Sequence, residues 1–360
     1  AQERVLRGEG GRVGAIIAEK GLSFYDSDYF LLGAAQPVKL PLPRKSSIQA
    51  YVKGQLVFTL QQDWNGFKQG DLVSYDLAAL KADPAAAKAV LITRPGSRQA
   101  IDGVDATHGR VVVSLLEDVK SAIDVYDYQA GAWTRTRLAA LPRDSHLPIV
   151  ATADDRDQMF VDAESYLDPT GLWLADAASG KAEKIKSLPS RFDASHDQVD
   201  QYWATSSDGA KIPYFVVRPK GGRLDGSTPT LMFGYGGFQV SYTPAYRPEM
   251  GKLWLEHGGA YVVANIRGGG EFGPAWHEAA LREHRQLAFD DFAAVARDLF
   301  ARKITSPRRL GIYGRSNGGV LTSVSITQHP ELWNAAVIES PLVDMLRYNH
   351  LSAGASWVGE

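Results

Sequence analysis

The alternation of apolar and polar positions divides the chain into two parts with different periods. From residue 1 to about residue 190, short apolar or alternating runs are separated by turn chemistry. Val13–Glu19, Phe24–Leu32, Ile48–Leu60, Leu72–Leu77, Val90–Thr93, Val111–Leu116, Ala122–Tyr128 and Gly171–Asp176 read as strands. Asn65-Gly66, Asp102-Gly103, Ala130-Gly131 and Ser179-Gly180 read as turns between them. Helical periodicity is nearly absent, and the Ala-rich Leu77–Lys88 predicts one short helical insertion. Many short strands joined by turns argue a sandwich, a barrel or a propeller. Two segments, AIDVYDYQAGAWTRTRL and GLWLADAASGKAEKIKSL, share a strand–turn–strand cadence. At roughly 40–50 residues per propeller blade, this part would make about four blades.

From residue 191 to residue 360 the pattern changes. Val199–Thr205 and Lys211–Arg218 flank Ser207-Asp208-Gly209, a hairpin signal. Thr230–Tyr235, Tyr261–Ile266 and Ala335–Glu339 read as buried strands. Leu253–His257 reads as helical and ends at Gly258-Gly259; a Gly-rich loop runs from Arg267 to Gly273. Phe289, Phe292, Val295, Ala296, Leu299 and Phe300 recur at helical spacing and predict a helix over Ala288–Ile304, and another helix follows over 320–328. Alternating strands and helices imply a mostly parallel sheet with helices on both faces, whose sites lie at the carboxyl ends of strands.

One stretch carries chemistry. Gly311-Ile312-Tyr313-Gly314-Arg315-Ser316-Asn317-Gly318-Gly319-Val320 places Gly-x-Ser-x-Gly between an apolar strand and a buried helix, the nucleophile elbow of the α/β-hydrolase fold. Ser316 must then occupy a sharp turn that lifts its hydroxyl clear of the sheet. Gly314, Gly318 and Gly319 leave room where a Cβ would meet backbone. The turn aims the Asn317 backbone N–H, at a helix N-terminus, toward charge developing on a carbonyl oxygen.

Composition narrows the field. Lys plus Arg number 39 against 41 Asp plus Glu, a formal charge of −2, which offers no footprint for nucleic acid or an anionic membrane. No apolar run approaches the roughly 18 residues of a membrane span. The absence of cysteine removes disulfides, thiol catalysis and Cys-ligated metals. His257, His277 and His284 lack partners at metal-ligand spacing, so neither a metal nor a cofactor is expected. Arg267-Gly268-Gly269-Gly270-Glu271 lacks the Lys-Ser/Thr of a phosphate cradle. Asp290 and Asp291 point in different directions on a helix, one toward solvent and one toward a structural partner. The expectation is a soluble monomer of the cytoplasm or periplasm.

Tyr235-Gly236-Gly237-Phe238, VVANIRGGGEFGPAWHEAA, FDDF, TSPRRL and GRSNGG together resemble the prolyl oligopeptidase family of serine peptidases, from about residue 195 to residue 360. YGGF combined with SNGG looks like the prolyl branch. The resemblance implies an α/β-hydrolase domain over 191–360 and part of a seven-bladed β-propeller over 1–190, the propeller excluding folded proteins. It implies Ser316 as nucleophile, the Asn317 backbone N–H and the Tyr235 hydroxyl as oxyanion hole, and Phe238, Trp357 and Leu342 as the lining of a proline-side pocket. A flat apolar ring such as proline suits an aromatic wall. The substrates implied are short proline-containing peptides, cleaved after proline through an acyl-enzyme.

Ser316 also needs a base and an orienting acid. His329 lies thirteen residues along the helix from Ser316, about 20 Å away at 1.5 Å per residue. His350 follows the next strand too closely for a base, and Asp344 and His350 read as structural. The resemblance puts the family's catalytic Asp, His and pocket Arg beyond residue 360, so the expectation is a fragment cut at both ends and inactive by itself. The competing readings are a broader-specificity oligopeptidase or esterase, and a non-catalytic propeller module that binds a partner.

Overall fold

The computed structural model describes residues 2–8, 11–23, 25–33 and 36–360. Phe24, the first residue of one expected strand, lies outside the described residues. Two compact units are present, one formed by 1–163 with 171–187, the other by 164–170 with 188–360.

Among the described residues the first unit contains four antiparallel sheets of four strands, each a simple meander. They span Gln2–Lys39, Ser46–Thr93, Gln99–Arg137 and Ile149–Ser187. That spacing matches the roughly 40–50 residues of a propeller blade. Inner strands are buried along their whole length: every residue of Gln55–Leu60 is buried, polar Gln55 and Thr59 included, as are Val111–Leu116. Outer strands are not. Ala182–Ser187 exposes nearly every residue, so its pairing with Gly171–Asp176 rests on backbone hydrogen bonds. The helix expected over Leu77–Lys88 stops at Ala82. Asp76 caps its start, accepting from the Ala79 N–H at 2.8 Å, and Pro84 forbids continuation.

The second unit is built on one six-stranded sheet. Its strands are β1 (Asp197–Thr205), β2 (Lys211–Pro219), β3 (Thr230–Gly234), β4 (Ala260–Ala264), β5 (Leu310–Arg315) and β6 (Ala335–Glu339). They lie in the order β1-β2-β4-β3-β5-β6; β1, β2 and β4 pair antiparallel, and the remaining pairs are parallel. The helices are α1 (Pro248–Leu253), α2 (Pro274–Glu278), α3 (Gln286–Ala301) and α4 (Asn317–Gln328). Met232, Val262 and Ile312 from β3, β4 and β5 pack with Phe292, Val295 and Leu299 of α3 and Leu321 of α4. No helix among the described residues is long and apolar enough to cross a membrane.

The apolar period overran the end of α3. Lys303 takes φ +57°, and the Ile304 N–H returns to the Leu299 carbonyl at 3.1 Å while Lys303 N–H bonds Phe300 at 2.9 Å. This reverse turn satisfies the last carbonyls and still buries Ile304, so core periodicity persists after the helix has ended. Helices α1 and α2 carry little periodicity, but each has proline in its first turn, a usable start signal.

Candidate active site

Ser316 joins β5 to α4 with φ +57° and ψ −119°, a region that costs an L-residue strain. The surrounding backbone holds it there. Its N–H donates to the Glu339 carbonyl of β6 at 2.9 Å, and its own carbonyl accepts from Gly319 at 2.9 Å and Val320 at 3.2 Å. A serine at a helix start usually caps the first turn with its hydroxyl, but Ser316 makes no such bond. The hydroxyl, on a half-buried residue, is thereby left for other chemistry.

The three glycines of the elbow are required for space. None has positive φ; the serine takes that strain instead. A Cβ on Gly314 would stand 2.0 Å from the Gly318 oxygen, one on Gly318 would stand 2.8 Å from the Gly234 oxygen, and one on Gly319 would stand 2.8 Å from the Glu339 oxygen.

Topology brings Tyr235 to Ser316. Strands β3 and β5 are parallel neighbours with Phe233 opposite Tyr313, so the residues just past their carboxyl ends lie level. The Ser316 side chain lies near enough to act on the Tyr235 phenol. Burial raises the Tyr235 pKa, with the Ser316 side chain opposing, so the phenol remains a neutral donor. Asn317 is 3% exposed, and its backbone N–H is one of the first-turn donors that no helical carbonyl reaches. A phenol and an amide N–H beside one serine hydroxyl can together stabilise an oxyanion.

The expected pocket residues are brought together in part. Phe238 and Trp357 meet edge to face with ring centres 4.8 Å apart. Phe238 and Gln239 both have left-handed backbone, φ +54° and +56°, and the Phe238 N–H donates to the Glu360 carboxylate. Trp357 also lines a 510 Å³ cavity with Arg285, Asn317, Val343 and Met345. Leu342 is half-buried and is not among the residues lining that cavity; its neighbour Val343 is.

Other charged groups find partners of their own. Asp291 is fully buried and receives the Arg267 guanidinium, the Arg267 N–H and the Ser206 hydroxyl, whereas Asp290 sits nearer the surface against Ser207 and Gln286. His329 lies 3.4 Å from Glu331 and Asp344 pairs with Arg347. No group of three or more His, Asp or Glu among the described residues is poised to hold a metal.

Sequence reasoning missed Arg285, His277 and Glu360. Arg285 donates to the Asn317 side chain at 2.8 Å, and His277 Nε2 lies 2.9 Å from Glu360 Oε2. Their separations of 32 and 83 residues carry no periodic or motif signal.

Residues 246–358 match the prolyl oligopeptidase family, and residues 23–188 match the prolyl oligopeptidase N-terminal β-propeller domain. An uncharacterised peptidase of Sinorhizobium fredii is 45% identical, the match covering 100% of this chain and 51% of the relative. A prolyl endopeptidase of Elizabethkingia miricola is 33% identical over 71% of this chain and 36% of the relative. Among solved structures, a post-proline cleaving enzyme from Rickettsia typhi superposes with a TM-score of 0.88 at 33% identity, covering 96% of this chain and 51% of that one. The chain spans about half the length of these first relatives. With three whole meander sheets and part of a fourth inside the propeller match, and a serine elbow within the peptidase match, the chain belongs to the prolyl oligopeptidase family, combining β-propeller and α/β-hydrolase peptidase domains.

Proposed function

We propose that Ser316 is the nucleophile of a serine peptidase that cleaves short peptides on the carboxyl side of proline. The observation that carries this reading is the elbow itself, where Ser316 is strained, free of capping duty and brought beside Tyr235 by the parallel pairing of β3 with β5. In the proposed reaction Ser316 Oγ attacks the scissile carbonyl carbon. The carbonyl oxygen becomes an oxyanion held by the Tyr235 hydroxyl and the Asn317 N–H. Collapse expels the amine and leaves an acyl-serine, which water then hydrolyses. The Phe238–Trp357 aromatic corner supplies a wall against which a proline ring packs.

A base must take the Ser316 proton, and a second group must orient that base. His329 sits at the far end of α4 beside Glu331 and Arg297, and His350 is exposed on a separate turn. Neither is assigned the role. The proposal concerns a polypeptide of the relatives' length, in which a histidine and its acid complete the set.

The test is fluorophosphonate labelling of the full-length protein, with the adduct mapped, followed by ester and amide substrates carrying proline or alanine before the scissile bond. Labelling at Ser316 that disappears in Ser316→Ala, with proline substrates preferred, supports the reading. Labelling without proline preference reduces it to a broader oligopeptidase or esterase. A folded, unlabelled protein overturns it in favour of a binding module.

A further inference from the structure

The two donors assigned to the oxyanion come from separate segments, one following β3 and the other opening α4. A fixed separation between them has to come from tertiary contacts. The Asn317 side chain makes one such contact: its Nδ2 donates to the Tyr235 carbonyl at 2.7 Å, across 82 residues of sequence. The loop lies flush on that amide, since a Cβ on Gly237 would stand 2.4 Å from Asn317 Nδ2.

Arg285 determines which way the amide faces. Its Nη2 donates to Asn317 Oδ1 at 2.8 Å. A guanidinium can only donate and a peptide carbonyl can only accept, so Oδ1 must face Arg285 and Nδ2 must face Tyr235. The reversed amide would set donor against donor and acceptor against acceptor. Keeping Arg285 there is costly. Burial lowers its pKa, opposed by the nearby Glu360 carboxylate, whose closest approach is 3.9 Å. Its buried Nη1 has no hydrogen-bond partner. An unpaired buried N–H is disfavoured, which calls for a reason beyond packing.

We infer that Arg285 is a positioning residue for acyl transfer. Through the Asn317 amide it holds the Tyr235 segment against the elbow, at the spacing that lets both donors reach one oxygen. This rests on the reading of Ser316 as nucleophile. In this role Arg285 acts through the Asn317 amide rather than on the reacting atoms.

The experiment is a double-mutant cycle in the full-length protein, with kcat and KM measured on a proline peptide ester. Arg285→Ala and Asn317→Ala should each lower kcat about tenfold, less than the roughly 10²–10³ lost when an oxyanion donor is itself removed. KM should stay within about threefold. The double variant should be no slower than Asn317→Ala alone, because both changes break one tether. Arg285→Gln, which keeps a donor without the charge, should recover part of the loss, and serves also if the alanine variant fails to fold. The inference is overturned if Arg285→Ala melts at a lower temperature but keeps its kcat, or if the two losses multiply. If instead the wild-type protein is not labelled by a fluorophosphonate, the nucleophile assignment fails first, which is a separate result.

Discussion

Gly314 and Gly318 face each other across the elbow so closely that a β-carbon on the first would stand 2.0 Å from the carbonyl oxygen of the second. The obstacle is backbone, which cannot rotate away like a side chain. Gly314→Ala should therefore displace β5 from α4, cost about 1–3 kcal/mol as an overpacking change, and abolish fluorophosphonate labelling of Ser316. Urea denaturation alongside labelling checks this. A stable, fully labelled variant would show that the turn can open without loss of geometry.

Removing the phenolic hydroxyl tests the second donor. Tyr235→Phe keeps the ring and its packing while deleting the hydroxyl proposed to face the oxyanion. The expected loss is about 2.7–4 kcal/mol of transition-state stabilisation, or 10²–10³ in kcat, with KM nearly unchanged. Steady-state kinetics on the full-length enzyme measure it. A loss confined to KM would assign Tyr235 to substrate binding.

The Arg267 guanidinium is shared by two carboxylates in different surroundings. Asp291 is 0% exposed at its side chain, whereas Asp208 is 39% exposed. Asp291→Ala leaves a buried guanidinium short of its main partner and should destabilise by about 3–5 kcal/mol. Asp208→Ala removes a solvent-screened pair and should cost about 1 kcal/mol or less. Denaturation midpoints of the two variants, measured side by side, decide the order. Equal effects would mean that burial is not what distinguishes the two carboxylates.

Two tyrosines make alkaline pH a probe of both units. Burial pushes Tyr29 up to about 12, reinforced by Glu19, and pushes Tyr242 up to about 12, reinforced by Tyr235. An unfolded tyrosine ionises near about pH 10. The folded pKa is the higher one, so this contribution to stability is complete below about pH 10 and is lost as pH rises toward about 12. Phenolate absorbance from these rings should appear only as near-ultraviolet dichroism disappears. Full ionisation of all 15 tyrosines at pH 10 with the fold intact would contradict the burial argument.

The sequence exposed whatever repeats locally or is demanded by backbone sterics. Val111–Leu116 announces itself because every position is buried, whereas the run Ile48–Leu60 is two strands, Ser46–Val52 and Gln55–Leu60, parted by a turn at Lys53-Gly54. The elbow is legible because Gly314, Gly318 and Gly319 are positions where only hydrogen fits. Gln99–Ala106 was missed because it is mostly half-exposed and carries Asp102, Gly103 and Asp105, which read as turn chemistry. Ile304 misled in the opposite direction, keeping the helical period after α3 had ended.

By itself, then, the sequence determined two element periods, a serine on a strand-to-helix turn and the motifs that carry the family resemblance, because each depends on neighbours a few residues away. Tertiary structure decided which distant groups meet. Parallel pairing of β3 with β5 brings Tyr235 level with Ser316. Packing sets Arg285 against Asn317, Glu360 under Phe238, and Arg267 between Asp291 and Asp208. Hydrogen-bond partners separated by tens of residues leave no periodic trace in a chain, and only the folded backbone brings them within three ångströms.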